Sequence, residues 1–215
     1  MNTLLETKEF LDLLLAGNRL KSSEYAQRYF TRNQSVLDLY ENLIKKTMYN
    51  VGELWENNKI SVATEHLASA IVEAILNEQY QHLNTTEIRT NTALVATVEN
   101  ELHQIGIKMI SDVFDINGWK THFLGSNTPT GDLLNYAKLL KPDMLAISIS
   151  ISSNFPILEE MIIKAKEVLP NTLLLVGGQA FTHGGHEYIA KYEHVIYQPD
   201  AYAADLFLKS FRKKE

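Results

Sequence analysis

The chain has 215 residues, 45% of them hydrophobic, a formal net charge of −6 and no cysteine. That size suits one large domain or two small ones with a real core, and the acidic balance argues against a nucleic-acid-binding surface as the chain's main business. The lack of cysteine excludes disulfides, zinc–thiolate sites, iron–sulfur clusters and thiol nucleophiles. The N-terminus carries acids where a signal peptide needs basic residues, and no run approaches the ~18 apolar residues of a membrane span, so a soluble, cytoplasmic protein is expected.

Residues 4–83 contain no proline and only two glycines, Gly17 and Gly52. Leu4, Leu5, Phe10, Leu11, Leu14 and Leu15 recur at helical spacing and stop at Gly17, which predicts a first helix with a glycine terminus. Residues 22–30 predict a second, short helix capped by Ser22 or Ser23. A long third helix starts at residues 33–35 and carries the stripe Val36, Leu39, Leu43, Ile44, Val51 and Leu54. Residues 59–61 break it. Ser61 then caps a fourth helix, in which Glu65 stands as a reciprocal capping partner or a first-turn acid, and Leu67, Ile71, Ile75 and Leu76 carry it on. Four helices with short joints predict a four-helix bundle over residues 1–83. The polar, aperiodic residues 84–91 read as a linker.

The joint between the third and fourth helices is unusual. Trp55 closes one helix, and after nine intervening residues Glu65 and His66 open the next. A capping turn with an aromatic plug accounts for these residues, because a tryptophan near a helix end is usually core and a first-turn glutamate serves the helix dipole.

After the linker the period changes. Residues 93–98 are apolar or β-branched and read as a short buried strand. The loop that follows carries Glu101, His103 and Gly106, and Ile107, Ile110, Val113 and Phe114 then mark a helix that Gly118 ends. Loops at the carboxyl ends of strands are where open α/β sheets bind ligands. A histidine there, with a carboxylate two residues before it, has the makings of a metal ligand and its orienting partner; it also suits a plain helix-start residue. Gly106 would let the backbone approach a bulky ligand.

Further strands are expected at residues 119–125, 144–151, 172–176 and 194–197. Helices separate them over 133–140 and 156–168, and one closes the chain at 203–211. Ser148 and Ser150 fall on one face of the third strand, and Gly177-Gly178 ends the fourth. The fold class is therefore α/β: a helical bundle, then a doubly wound, flavodoxin-like (Rossmann-like) five-stranded parallel sheet over residues 92–215. No Gly-x-Gly-x-x-Gly or Walker loop points to dinucleotides or nucleoside triphosphates, and no Gly-x-Ser-x-Gly marks a serine nucleophile. His183 and His186 around Gly184-Gly185 read as a polar loop, and Glu159-Glu160 as solvated helix surface.

Glu101-x-His103-x-x-Gly106 resembles the Asp/Glu-x-His-x-x-Gly signature of cobalamin-binding domains, in which the histidine displaces the cofactor's own benzimidazole as the lower cobalt ligand. Ser148 with Ser150, and Gly177 with Gly178, stand where those domains carry Ser-x-Thr/Ser and Gly-Gly. Trp55-x9-Glu65-His66, preceded by Val-Gly-Glu-Leu and containing Ile-Ser-Val up to Val62, resembles the adenosyl-side motif of the CarH-type adenosylcobalamin-dependent photoreceptor family. The resemblance runs over about residues 5–210.

It implies a corrin held between the two domains, with His103 as lower axial cobalt ligand and Glu101 as its partner. Trp55 would cover the 5′-deoxyadenosyl group, with Val62, Glu65 and His66 around it, while Ser148 and Ser150 would line the slot for the nucleotide tail. Gly177 and Gly178 would let a flat ligand lie against the backbone. Light would cleave the cobalt–carbon bond and change packing or assembly, with a homo-oligomer or a regulatory protein as partner and no catalytic residues.

Two departures follow from the same comparison. The family usually carries an N-terminal helix-turn-helix, whereas this chain starts at the bundle, so direct nucleic-acid binding is not expected. The family's histidine directly after the tryptophan is Glu56 here, which leaves His66 or water for the upper site after photolysis. The alternative is a corrinoid methyl-carrier protein of a methyltransferase system, using methylcobalamin. Such carriers usually have Asp before the histidine and lack the complete Trp-x9-Glu-His.

Overall fold

A computed structural model describes residues 3–83 and 90–211. Residues 84–89 of the expected linker and the terminal run Arg212, Lys213 and Lys214 lie outside the described residues. The chain divides into two compact units, Met1–Leu83 and Asn84–Glu215.

The first unit is helical. Helix α1 (Thr3–Leu15) buries Phe10 and Leu14 but leaves Leu4 and Leu5 exposed, so its core-facing stripe is narrower than its leucine content suggests. Gly17 ends it in the left-handed region, with φ of +65°, where an added Cβ would stand 2.9 Å from Leu67 Cδ2. Helix α2 (Arg19–Asn33) begins before the expected Ser22. Asn18 caps it by accepting from the Lys21 N–H (3.2 Å), and Ser22 is buried instead.

The third rod is continuous but not uniform. It runs as α3 (Val36–Asp38), a π-helical segment (Leu39–Ile44) and α4 (Lys45–Glu56). The Lys45 N–H reaches back to the Tyr40 carbonyl, which widens the turn and turns Leu39, Tyr40, Leu43 and Ile44 inward together. Helix α5 (Val62–Glu78) is capped by Ser61, whose hydroxyl accepts from the Thr64 N–H (3.2 Å). Ile71, Val72, Ile75 and Leu76 form its buried face, while Leu67, expected among them, is nearly half exposed.

The second unit is a parallel sheet of β1 (Thr92–Thr97), β2 (Lys120–Gly125), β3 (Met144–Ser148), β4 (Leu173–Gly177) and β5 (Val195–Tyr197). Their spatial order is β2-β1-β3-β4-β5. The crossovers are α6 (Ile105–Ile116), α7 (Thr130–Leu140) and α8 (Phe155–Val168), and α9 (Ala201–Ser210) closes the unit. Helix α6 packs beside α9, and α7 beside α8. The central strands are buried on both faces, which is why Ala93–Ala96 and Met144–Ile147 read as apolar runs rather than alternating ones.

Register brings Thr97, Ser148 and Gly177 level at the carboxyl ends of three neighbouring strands. From β1 the chain winds first to β2 and then back across to β3, so the topological switch lies between β1 and β3. Strand β3 stops at Ser148, three residues before the expected end. The Ile149 N–H still reaches the Gly177 carbonyl, but the Ser150 and Ile151 N–H groups turn away to a carboxylate. Ser150 therefore belongs to a loop and shares no strand face with Ser148. Among the described residues no helix is long and apolar enough to cross a membrane.

Candidate functional site

At the switch, β1 runs into a tight turn. The Glu101 N–H donates to the Val98 carbonyl (3.1 Å), and Asn100, third in that turn, has φ of +66°, a conformation asparagine tolerates. Helix α6 then starts at Ile105, so Gly106 sits in its first turn rather than in the loop.

The Glu101 side chain has no exposed surface, whereas that of His103 is 57% exposed. One carboxylate oxygen, Oε1, accepts from the His103 N–H (3.1 Å) and from His103 Nδ1. The other, Oε2, accepts from the N–H groups of Ser150 (2.9 Å) and Ile151 (3.0 Å) and from Asn154 Nδ2 (3.4 Å). Burial alone would push this carboxyl up, but the bonds from the His103 ring and from the Ser150, His103 and Ile151 N–H groups prevail and hold it at about 2. The carboxylate is ionised at neutral pH and can only accept. Nδ1 therefore carries the proton, and when the ring is neutral its lone pair is at Nε2.

Two exposed apolar residues, Leu102 (69%) and Ile151 (45%), flank this pair. Among the described residues, a Cβ built on Gly106 meets no atom within 4 Å, so nothing in the fold itself requires glycine there. Gly177 and Gly178 are different. Added Cβ atoms would stand 2.6 Å from the Gln198 carbonyl oxygen and 2.2 Å from that of Ile149, and Gly178 has φ of +116°. The crowding of neighbouring backbone accounts for both glycines without any ligand. Ser148 is buried at its strand end, and Ser150 is partly buried beside Glu101.

In the helical unit, Trp55 sits in the last turn of α4 and is 47% exposed, so it is not a buried plug. Val62, Glu65 and His66 share one face of α5 by their i, i+3 and i+4 spacing. Ser61 and not Glu65 does the capping. Glu65 instead accepts from the Ser69 hydroxyl (2.7 Å) and lies 3.5 Å from His66 Nε2. Val62 is about half exposed, as is Leu67. The helical unit therefore exposes an indole at the end of α4 and two aliphatic side chains on α5.

Asn154, Ile151 and Leu102 join the site although no sequence motif singled them out. Asn154 and Ile151 come from a loop some fifty residues away, and nothing in their local sequence distinguishes them. Leu102 was legible only as the residue between Glu101 and His103. His186 packs edge-on against Phe181 and Tyr197, and no cluster of three or more potential metal-ligating side chains occurs among the described residues.

Residues 91–206 match the B12 binding domain, and residues 7–78 match a second B12 binding domain description. This chain belongs to the B12-binding domain family. It is 27% identical to the HTH-type transcriptional repressor CarH of Myxococcus xanthus over 146 residues, 67% of this chain and 48% of the repressor. It is 25% identical to trimethylamine corrinoid protein 1 of Methanosarcina mazei over 131 residues, 59% of this chain and 60% of that protein. The chain thus spans about half the length of the curated relatives it matches. The monomethylamine corrinoid protein of Methanosarcina barkeri superposes with a TM-score of 0.82, covering 98% of this chain and 100% of that one, at 15% identity. That likeness establishes the shared fold: a helical N-terminal unit followed by a Rossmann-like five-stranded sheet.

The residues at the switch fit a corrinoid. An imidazole oriented through Nδ1 by a buried carboxylate is the donor expected of a nitrogen ligand to cobalt, and the open space at Gly106 leaves room for the group it would hold.

Proposed function

We propose that this protein is a cobalamin-binding light sensor that takes adenosylcobalamin, with His103 as the axial cobalt ligand. The observation that carries the corrinoid part is the exposed His103 ring held at Nδ1 by the buried, ionised Glu101. Leu102, Ile151 and Gly106 would make the apolar platform beside it, and Ser148 and Ser150 the polar lining of the slot for the nucleotide tail. The half-exposed Trp55, with Val62, Glu65 and His66, supports the adenosyl preference. An indole packs on a flat purine, and a carboxylate and an imidazole can bond ribose hydroxyls.

When bound, adenosylcobalamin supplies a cobalt–carbon bond that green light breaks. Trp55 would hold the adenosyl side of the cofactor, and loss of that group would let the helical unit repack and alter self-association or the binding of a regulatory protein. In this reading Glu101 and His103 hold the cofactor and have no substrate of their own. Such a switch needs a ligand that prefers one state of the protein, and contacts of Trp55 with the adenosyl group would provide that preference.

The similarity to trimethylamine corrinoid protein 1 favours a second reading, a methyl-carrier subunit that binds methylcobalamin. One experiment separates the two. The apoprotein is mixed in the dark with adenosylcobalamin or methylcobalamin, and its size-exclusion profile is recorded before and after green light. Preferential adenosylcobalamin binding with a light-driven change in elution supports the sensor. Tight methylcobalamin binding without adenosyl preference or a change in size supports the carrier and sinks the sensor.

A further inference from the structure

Resting on the assignment of His103 as the cobalt ligand, we propose that Thr97 and Asn127 are positioning residues. They clamp the turn that carries Glu101 and thereby fix where the His103 ring stands.

Thr97 is the last residue of β1 and has no exposed surface. Its hydroxyl is used twice: it donates to the Glu101 carbonyl (2.9 Å) and accepts from the Asn127 N–H (3.0 Å). Asn127 comes from the loop between β2 and α7. Its N–H also donates to the Glu101 carbonyl (3.0 Å), and its side-chain Oδ1 accepts from the Asn100 N–H (3.1 Å). Both asparagines hold positive φ, +66° for Asn100 and +54° for Asn127, a region asparagine enters at lower cost than most residues. A few residues on, Thr130 donates its N–H (3.1 Å) and its hydroxyl (2.8 Å) to Glu99 Oε2, which also satisfies the start of α7.

Thus Thr97, Asn100 and Glu101 are tied to the β2–α7 loop, Glu99 to the first residue of α7, and the Val98 N–H to the Ser148 carbonyl of β3 (3.0 Å). Glu101 is gripped from two sides. Its carboxylate faces the N–H groups of the loop after β3, and its carbonyl faces Thr97 and Asn127. Since Glu101 in turn holds both the N–H and Nδ1 of His103, a displacement of its backbone moves the imidazole. Loops are the adaptable parts of a scaffold, and a ligand ring must be held to within a fraction of an ångström to serve well. The clamp makes a rigid element out of what the sequence presents as a loop.

The test uses the full chain loaded with adenosylcobalamin in the dark. Thr97→Val keeps the side-chain shape and removes the hydroxyl, and Thr97→Ser returns it. Asn127→Gly keeps the backbone conformation and both N–H bonds but removes Oδ1, and Asn127→Asp returns the acceptor. The readouts are the absorption signature of histidine ligation, defined as the component abolished in His103→Ala, and the corrinoid affinity. Thr97→Val should weaken affinity about tenfold, the scale seen when partners of a metal-ligating histidine are removed, and shrink the histidine signature, while Thr97→Ser restores both. Asn127→Gly should act in the same direction, with Asn127→Asp restoring the signature.

If the hydroxyl and amide only stabilised the fold, thermal unfolding would shift while the signature of the bound form stayed at the wild-type level. Wild-type signature and affinity in folded Thr97→Val and Asn127→Gly overturn the proposal. Should Thr97→Val fail to fold, Asn127→Gly decides. A wild-type spectrum that His103→Ala leaves unchanged overturns the His103 assignment itself, and the clamp's role with it.

Discussion

The buried carboxylate of Glu101 grips the partly exposed imidazole of His103 at Nδ1, and with its other oxygen takes the N–H groups of Ser150 and Ile151 from across the β1–β3 switch. One side chain therefore ties the β1–α6 loop to the loop after β3 and sets the tautomer of the ring. In the proposed reading this single relationship serves ligation as well as stability, so the two can be separated only by experiments that read each on its own.

Acid stability of the apoprotein reads the first. The Glu101 carboxyl lies at about 2 against an ordinary 4.5. The folded value is depressed, so its contribution is complete above about pH 4.5 and is lost as the pH falls towards 2. A shift of that size corresponds to about 3 kcal/mol. Glu101→Gln should be less stable at neutral pH by about 1–3 kcal/mol, because its amide sets a donor against donors that are already buried. Its stability should also vary less between pH 4.5 and 2. Urea unfolding across that range checks both, and a Gln variant with the wild-type acid profile would contradict this role for Glu101.

The glycines divide into two kinds. Gly106→Ala meets open space in a helix, so the apoprotein should keep its stability or gain up to about 1 kcal/mol, while corrinoid affinity falls because the Cβ enters the ligand's space. Gly178→Ala meets the Ile149 carbonyl at φ of +116° and should cost about 2 kcal/mol or more without any ligand present. Urea unfolding and corrinoid titration of the two variants measure the contrast. An unstable Gly106→Ala, or one that binds corrinoid like the wild type, would remove Gly106 from the site.

What could be read from the sequence was what linear spacing encodes. Glu101-x-His103 places a carboxylate beside a ring, and the change of hydrophobic period marked the passage from helical unit to parallel sheet. What tertiary partners decide was hidden. Residues 144–151 read as one strand with Ser148 and Ser150 on the same face, but the Glu101 carboxylate captures the Ser150 N–H and the strand ends at Ser148. Gly177 and Gly178 read as room for a ligand, whereas the backbone at Gln198 and Ile149 already demands them. The stripe from Val36 to Leu54 suggested an unbroken α-helix. The wide turn at Leu39–Ile44 keeps nearly the same spacing, and the Lys45-to-Tyr40 bond reveals it. Thr97 and Asn127 carry no motif because their meaning lies in a contact across thirty residues.

Trp55 gives the sharpest test of the adenosyl preference. Because the indole is already half exposed, Trp55→Ala should alter the apoprotein's stability by less than about 1 kcal/mol. It should reduce adenosylcobalamin affinity about tenfold, the scale of a tryptophan at the centre of a contact, and leave methylcobalamin affinity nearly unchanged. Isothermal titration with each corrinoid in the dark measures the ratio. Equal losses for both would place Trp55 outside the adenosyl contact.

The most direct test of the central claim is the absorption spectrum of the adenosylcobalamin-loaded protein in the dark, compared between wild type and His103→Ala. The account predicts a spectrum in which the cofactor's benzimidazole is displaced and histidine is bound, and its loss in His103→Ala with the fold intact by circular dichroism. A wild-type spectrum identical to that of the alanine variant, or no corrinoid bound at all, would contradict it.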